Sequence, residues 1–79
     1  MGKAESSDLP ELELGEYEHY KGGRYRVLGV GLDSETLAPV VIYEPFDGSG
    51  VPFWVRPYEM FLEEVEVNGT KVPRFRRVS

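Results

Sequence analysis

Val40-Val41-Ile42-Tyr43-Glu44 is the stretch on which the fold class turns. Its apolar run is too short for a helix and three of its residues are β-branched, so it reads as a central strand of a sheet. Upstream, residues 24–30 (RYRVLGV) are rich in the same strand formers, and Lys21-Gly22-Gly23 before them is a turn. Between the two runs, Gly31-Leu32-Asp33-Ser34 supplies a glycine and then side chains that hydrogen-bond to turn backbone. Downstream, Pro45, Asp47-Gly48-Ser49-Gly50 and Pro52 mark a loop. Residues 53–56 (FWVR) follow as a short strand, and Pro57 takes the first position of a helical turn through Tyr58-Glu59-Met60-Phe61.

The most specific local signal lies near the end of the chain. Asn68-Gly69 between β-rich flanks predicts a two-residue type I′ hairpin. That register sets Val67 against Thr70, Glu66 against Lys71, Val65 against Val72 and Glu63 against Arg74. One apolar pair and two opposite-charge pairs make it self-consistent. Pro73 restricts the returning strand to an edge or a bulge.

Four to five short antiparallel strands with one helical turn predict a mainly β fold. The expected form is a small SH3-like barrel or a strongly curved antiparallel sheet, with an open α+β roll behind them. The strands do not alternate cleanly: residues 40–42 are apolar on both faces, as are Tyr25, Val27, Leu28 and Val30. Tyr17, Tyr20, Tyr25, Tyr43, Phe46, Phe53, Trp54, Tyr58, Phe61 and Phe75 are the aromatics, and most of them are expected in the core.

The chain has 79 residues, no cysteine, and 9 Lys+Arg against 14 Asp+Glu, for a net charge of −5. That is one small domain, without disulfide staples and too apolar for a disordered acidic tail. No apolar run approaches the length of a membrane helix, residues 1–16 show no signal peptide, and a cytoplasmic protein is expected. The charge is segregated. Glu5, Asp8, Glu11, Glu13, Glu16 and Glu18 face only Lys3 within residues 1–18, so this segment holds the whole −5 and the rest is balanced. Residues 1–16 are therefore expected as an acidic, flexible tail, in which Leu12 and Leu14 alternate with glutamates as an edge strand would. Residues 17–79 are expected as a single β domain.

His19-Tyr20-Lys21-Gly22, Tyr25-Arg26-Val27-Leu28-Gly29-Val30, Ser34-Glu35-Thr36, Val41-Ile42-Tyr43, Trp54-Val55-Arg56-Pro57, Met60-Phe61 and Pro73-Arg74-Phe75 occur in an order and spacing that resemble a bacterial family of small proteins. That family is known only as a domain of unknown function, number 1653. The resemblance spans about residues 17–78 and is weakest over 45–52. It implies a compact cytoplasmic β domain, and no catalytic or binding residue carries over from it.

Site residues must therefore be weighed on their own chemistry. Trp54 and Arg56 share one face of their strand, and if Phe53 and Val55 line the core, an exposed Trp beside an Arg results. Such a pair suits a peptide or an anionic group. The structural alternative is a Trp packed under a loop, with Arg56 bonded to Glu59 or Glu35. His19 is the single histidine, with no second His or Cys to complete a metal site, and its ordinary role is structural. Asp33, Ser34, Glu35 and Thr36 together with His19 contain the residue types of a hydrolytic triad, but no nucleophile elbow surrounds Ser34, and a capped turn explains them as well. Asn68-Gly69-Thr70 fits a glycosylation triplet, which the hairpin explains better, and Gly29-Val30-Gly31 lacks the spacing of a phosphate loop.

The function expected is that of a non-catalytic binding module using His19, Tyr20, Ser34, Glu35, Thr36, Trp54 and Arg56. Its ligand is a peptide, a partner protein or a small molecule; no cofactor, no metal and no membrane are expected. The alternative is a nucleic-acid accessory domain using the basic end. There Glu66 and Glu63 occupy Lys71 and Arg74, leaving Arg76 and Arg77 free, with Arg24 and Arg26 nearby. A small hydrolase through His19 and Ser34 is a third reading.

Overall fold

The computed structural model describes residues 9–46, 50 and 52–79. Residues 1–8 of the expected tail, and residues 47–49 and 51 of the expected loop, lie outside it. The chain runs β1 (Gly15–His19), β2 (Arg24–Leu32), β3 (Pro39–Pro45), β4 (Trp54–Pro57), α1 (Tyr58–Phe61), β5 (Glu64–Val67), β6 (Thr70–Pro73) and β7 (Phe75–Arg77). Five strands form one antiparallel sheet in the order β4-β3-β2-β1-β7, and β5 pairs with β6 in a second sheet. Among the described residues no pairing joins β4 to β7, so the open antiparallel sheet, rather than a closed barrel, is the form taken.

The strands expected from 24–30, 40–44, 53–56 and the Asn68-Gly69 hairpin are all present. The hairpin register is the expected one, with Val67 against Thr70, Glu66 against Lys71 and Val65 against Val72. Asn68 and Gly69 have φ of 53° and 82°, as a type I′ turn requires. Two strands went unforeseen. β7 is only three residues long, and β1 alternates Tyr17 and His19 with glutamates, which resembles a continuation of the acidic segment. Leu12 and Leu14 form no strand; the first strand begins at Gly15. Pro57 stands one position earlier than expected, at the cap before α1.

The core consists of Tyr17, Val27, Val41, Tyr43, Phe61 and Phe75, with Leu12, Tyr25 and Tyr58 packed against it. Phe61 and Phe75 stack with ring centroids 4.1 Å apart and 6° between planes. Tyr17 and Tyr43 make T-shaped contacts with Phe61, with ring centroids 5.5 and 5.4 Å away. Edge-to-face contacts of this kind add about 0.5–1.5 kcal/mol each beyond the area they bury. Tyr20, Phe46, Phe53 and Trp54 are exposed, so fewer aromatics serve the core than expected.

A bulge explains why residues 25–30 look apolar on both faces. The β2–β3 register shifts between Val27 and Gly29, so Leu28 is the extra residue and the pleat changes phase there. Val27, opposite Tyr43, and Val30, opposite Val41, then both share a face with core residues.

The acidic residues just before and within β1 meet the basic residues of the sheet. On the face away from the core, Arg26–Glu44 (3.4 Å), Arg24–Glu16 (3.3 Å) and Arg76–Glu18 (2.7 Å) form a ladder of alternating charge over β3, β2, β1 and β7. Arg77 reaches Glu13 at 3.5 Å, and its Nε donates to the Leu14 carbonyl at 3.2 Å. Tyr17 and Tyr58 donate to the Glu13 and Glu11 carbonyls. Exposed pairs of this kind contribute about 0–1 kcal/mol each, so their main effect is to neutralise the arginines locally.

Candidate functional site

The β3–β4 register orients the site. Tyr43 pairs with Trp54, Ile42 with Val55 and Val41 with Arg56. Directly opposed residues project to the same face, so Trp54 and Arg56 share the face of the buried Tyr43 and Val41. The expectation for this strand is thereby inverted: Val55 lies on the outer face, and Phe53 and Val55 are exposed rather than lining the core. Both phases of Phe53-Trp54-Val55-Arg56 are apolar enough to face inward, and pairing with Tyr43 chooses between them.

On the core face, His19, Tyr25, Tyr43, Trp54, Arg56 and Phe75 line a hollow of about 220 Å³. Three expected site residues, His19, Trp54 and Arg56, converge there. Tyr25, Tyr43 and Phe75 complete it; their aromatic character pointed to core duty, and only the pairing of β3 with β4 reveals their second role.

Arg56 is positioned from two sides. Its Nε donates to the Tyr43 hydroxyl at 3.1 Å, and its guanidinium carbon lies 5.5 Å from the Phe75 ring centroid. Neither Glu59 nor Glu35 pairs with it. Of the six arginines, Arg24, Arg26, Arg74, Arg76 and Arg77 each face a carboxylate within 4 Å, whereas Arg56 faces none among the described residues. Arg76 and Arg77, expected to be free, are thus both paired.

His19 sits at the rim. Its ring lies 4.9 Å from Phe75 and 4.7 Å from Tyr20, and its Nδ1 accepts the Lys21 backbone N–H at 3.2 Å. The neutral ring therefore carries its proton on Nε2. Burial, with Arg56, Arg74 and Lys21 nearby, holds its pKa below the usual histidine value. A histidine whose folded pKa is lowered contributes stability that is complete above the unfolded pKa of about 6.5 and fades as pH falls toward the folded value. Stability should therefore drop between pH 7.5 and 5.5 by more in the parent than in His19→Gln. Urea midpoints across that range check this, and equal slopes would remove His19 as the cause.

The other expected residues lie elsewhere. Tyr20 borders a neighbouring hollow of about 400 Å³ that reaches Val67 and Val72 of the hairpin. Ser34 and Glu35 line a hollow with Val40, Ile42 and Val55, on the face opposite His19. Asp33 Oδ1 accepts the N–H groups of Glu35 (2.8 Å) and Thr36 (3.1 Å), and Thr36 Oγ1 accepts that of Ala38 (3.2 Å). Those amides hold the Asp33 carboxyl below the usual carboxylate range. The segment forms the capped turn joining β2 to β3.

A family model matches residues 15–77, from the first residue of β1 to the last of β7. The chain belongs to the family described as "Protein of unknown function (DUF1653)". A crystal structure of a DUF1653 protein from Bordetella bronchiseptica is similar to it, with a TM-score of 0.78 and 33% identity over 86% of this chain and 88% of that one. Among curated proteins none matches. This DUF1653 chain has no helix, among its described residues, long and apolar enough to cross a membrane, and none of its described His, Asp and Glu residues group as metal ligands would.

Proposed function

We propose that this DUF1653 domain is a non-catalytic binding module that holds an anionic group against the aromatic hollow of its core face. The observation that carries the reading is Arg56, an arginine without a carboxylate partner among the described residues, fixed by Tyr43 and Phe75 where His19 and Trp54 converge. A planar guanidinium held in place suits a carboxylate or phosphate, and Lys21 adds positive potential near His19. The rings of Trp54, Tyr25, Tyr43 and Phe75 offer apolar walls to the rest of the ligand. A volume of about 220 Å³ suits a single ring or one side chain.

The separation of Ser34 from His19 on opposite faces supports the non-catalytic reading. The pairing of Arg24, Arg26, Arg76 and Arg77 weighs against a nucleic-acid reading, since little uncompensated charge is left on those residues. The bacterial cytoplasm, which the family resemblance implied, is part of the same proposal.

Trp54 is the only tryptophan, so its indole N–H signal reports on the site. Benzoate should shift that signal saturably with a Kd of the order of 1 mM, or about −4 kcal/mol. Benzylammonium, of similar size but opposite charge, should not. Arg56→Gln should weaken benzoate at least tenfold, as expected for losing a charge-assisted hydrogen bond of about 1.5–3 kcal/mol. Equal responses to both probes, or unchanged affinity in a folded Arg56→Gln variant, would retire the reading.

A further inference from the structure

The four edge strands of the two sheets are not alike. β7 carries Arg76 and Arg77, both ion-paired, and is only three residues long. The β5–β6 hairpin is lined with Glu64, Glu66 and Lys71 and ends in Pro73. Charges, proline and shortness are how an exposed strand edge is kept from pairing with another chain. β4 shares some of these devices, being four residues long with Arg56 and a terminal Pro57, but its first half, Trp54 and Val55, carries none of them. Among the described residues it pairs only with β3, ends the five-stranded sheet, and together with the residue before it exposes Phe53 at 55%, Trp54 at 45% and Val55 at 60%. The strand that forms one wall of the hollow is thus also the edge that exposes the most large apolar side chains among the described residues.

We propose that the ligand of this site is an extended, acidic segment of a partner protein, which adds to β4 as a sixth strand and places a Glu or Asp side chain over Arg56. The proposal rests on the anion-binding reading above and names the class of ligand. Strand addition takes its affinity from main-chain hydrogen bonds and its specificity from pockets that receive alternate side chains. A residue opposite Arg56 on an added strand lies about 4.5–5.5 Å away between Cβ atoms, within reach of a carboxylate. Its neighbours point to the other face, beside the exposed Val55, so they should be apolar. The next residue on the core face lies beside Trp54. Charge complementarity selects this occupant over β4 of a second copy, because β4 carries no acidic residue to meet Arg56; pairing with the acidic β5 of a second copy is left to the concentration dependence in the test.

The test compares capped peptides with a small acid on the full chain. Acetyl-Thr-Val-Glu-Val-Thr-amide should shift the Trp54 indole signal and the Val55 backbone amide, at least tenfold more tightly than N-acetylglutamate amide. The Gln-containing peptide should bind at least tenfold more weakly. The same Glu peptide with N-methyl groups on both valines should fall to the level of the small acid. Equal binding of the methylated and unmethylated peptides would overturn strand addition while leaving anion binding in place. Equal binding of the Glu and Gln peptides would overturn the acidic partner. Val55 shifts that grow with protein concentration alone would assign the edge to a second copy and overturn the proposal. If benzoate, the small acid and the peptides all fail to bind, the anion-binding reading falls and this one falls with it.

Discussion

Phe61→Ala is expected to leave most molecules unfolded at 25 °C. Phe61 is fully buried, stacks on Phe75, and makes T-shaped contacts with Tyr17 and Tyr43. It is the last residue of α1, so its ring ties the short helix to the sheet. Removing a core phenylalanine costs about 3–5 kcal/mol through lost transfer energy and the cavity left behind. A single core in a domain of this size supplies only about 3–5 kcal/mol in total. The two figures are comparable, so circular dichroism should show loss of the native signal without denaturant. Phe61→Leu, which keeps much of the volume, should stay folded and lose about 1–1.5 kcal/mol. A urea midpoint for Phe61→Ala within about 1 M of the parent would show that the aromatic stack is not the keystone of this core.

Gly69→Val is expected to be the most damaging change in the hairpin, at about 1–3 kcal/mol. Gly69 has φ of 82°, a conformation that a β-branched residue strongly resists. The turn is the main hold on this register, since among the described residues β5 and β6 pair only with each other. Their continuation is the Arg74–Glu63 pair at 3.0 Å and the Arg74 N–H to Glu63 carbonyl bond at 2.9 Å. Amide exchange over residues 64–67 and 70–72 should accelerate more than exchange at Val27 and Val41. The melting temperature should fall by roughly 4–8 °C per kcal/mol. Gly69→Asn, which tolerates positive φ, should cost much less, and equal losses for Val and Asn would point away from backbone strain.

Much of the fold was legible because its signals are local. Asn68-Gly69 gave turn type and register together, since a two-residue loop leaves one pairing between its flanks. The β-branched run at Val40-Val41-Ile42 marked an interior strand, and the Asp33–Thr36 segment read as a capped turn. β7 escaped because three residues hold no period. The particular partners of Arg76 and Arg77, Glu18 and Glu13, could not be named because they are about 60 residues away and meet only when β1 and β7 lie side by side.

The candidate site divides in the same way. Trp54, Arg56 and His19 stood out from residue type and spacing, and they meet. Ser34, Glu35 and Thr36 stood out equally, and they lie on another face. Tyr25, Tyr43 and Phe75 were assigned to the core, and they both pack it and line the hollow.

By itself, then, the sequence established a small, mainly β domain, the position of most strands, the hairpin with its register, and an acidic segment ahead of a balanced body. Each of these depends on neighbours within a few residues. Tertiary structure alone decided which face of Phe53-Trp54-Val55-Arg56 turns inward and which arginine is left without a carboxylate among the described residues. The physical reason is that a strand with apolar residues in both phases fits a sheet in either orientation. Its pairing with Tyr43, across a loop, breaks the tie, and with it decides whether Trp54 and Arg56 look away from the core or into a hollow beside it.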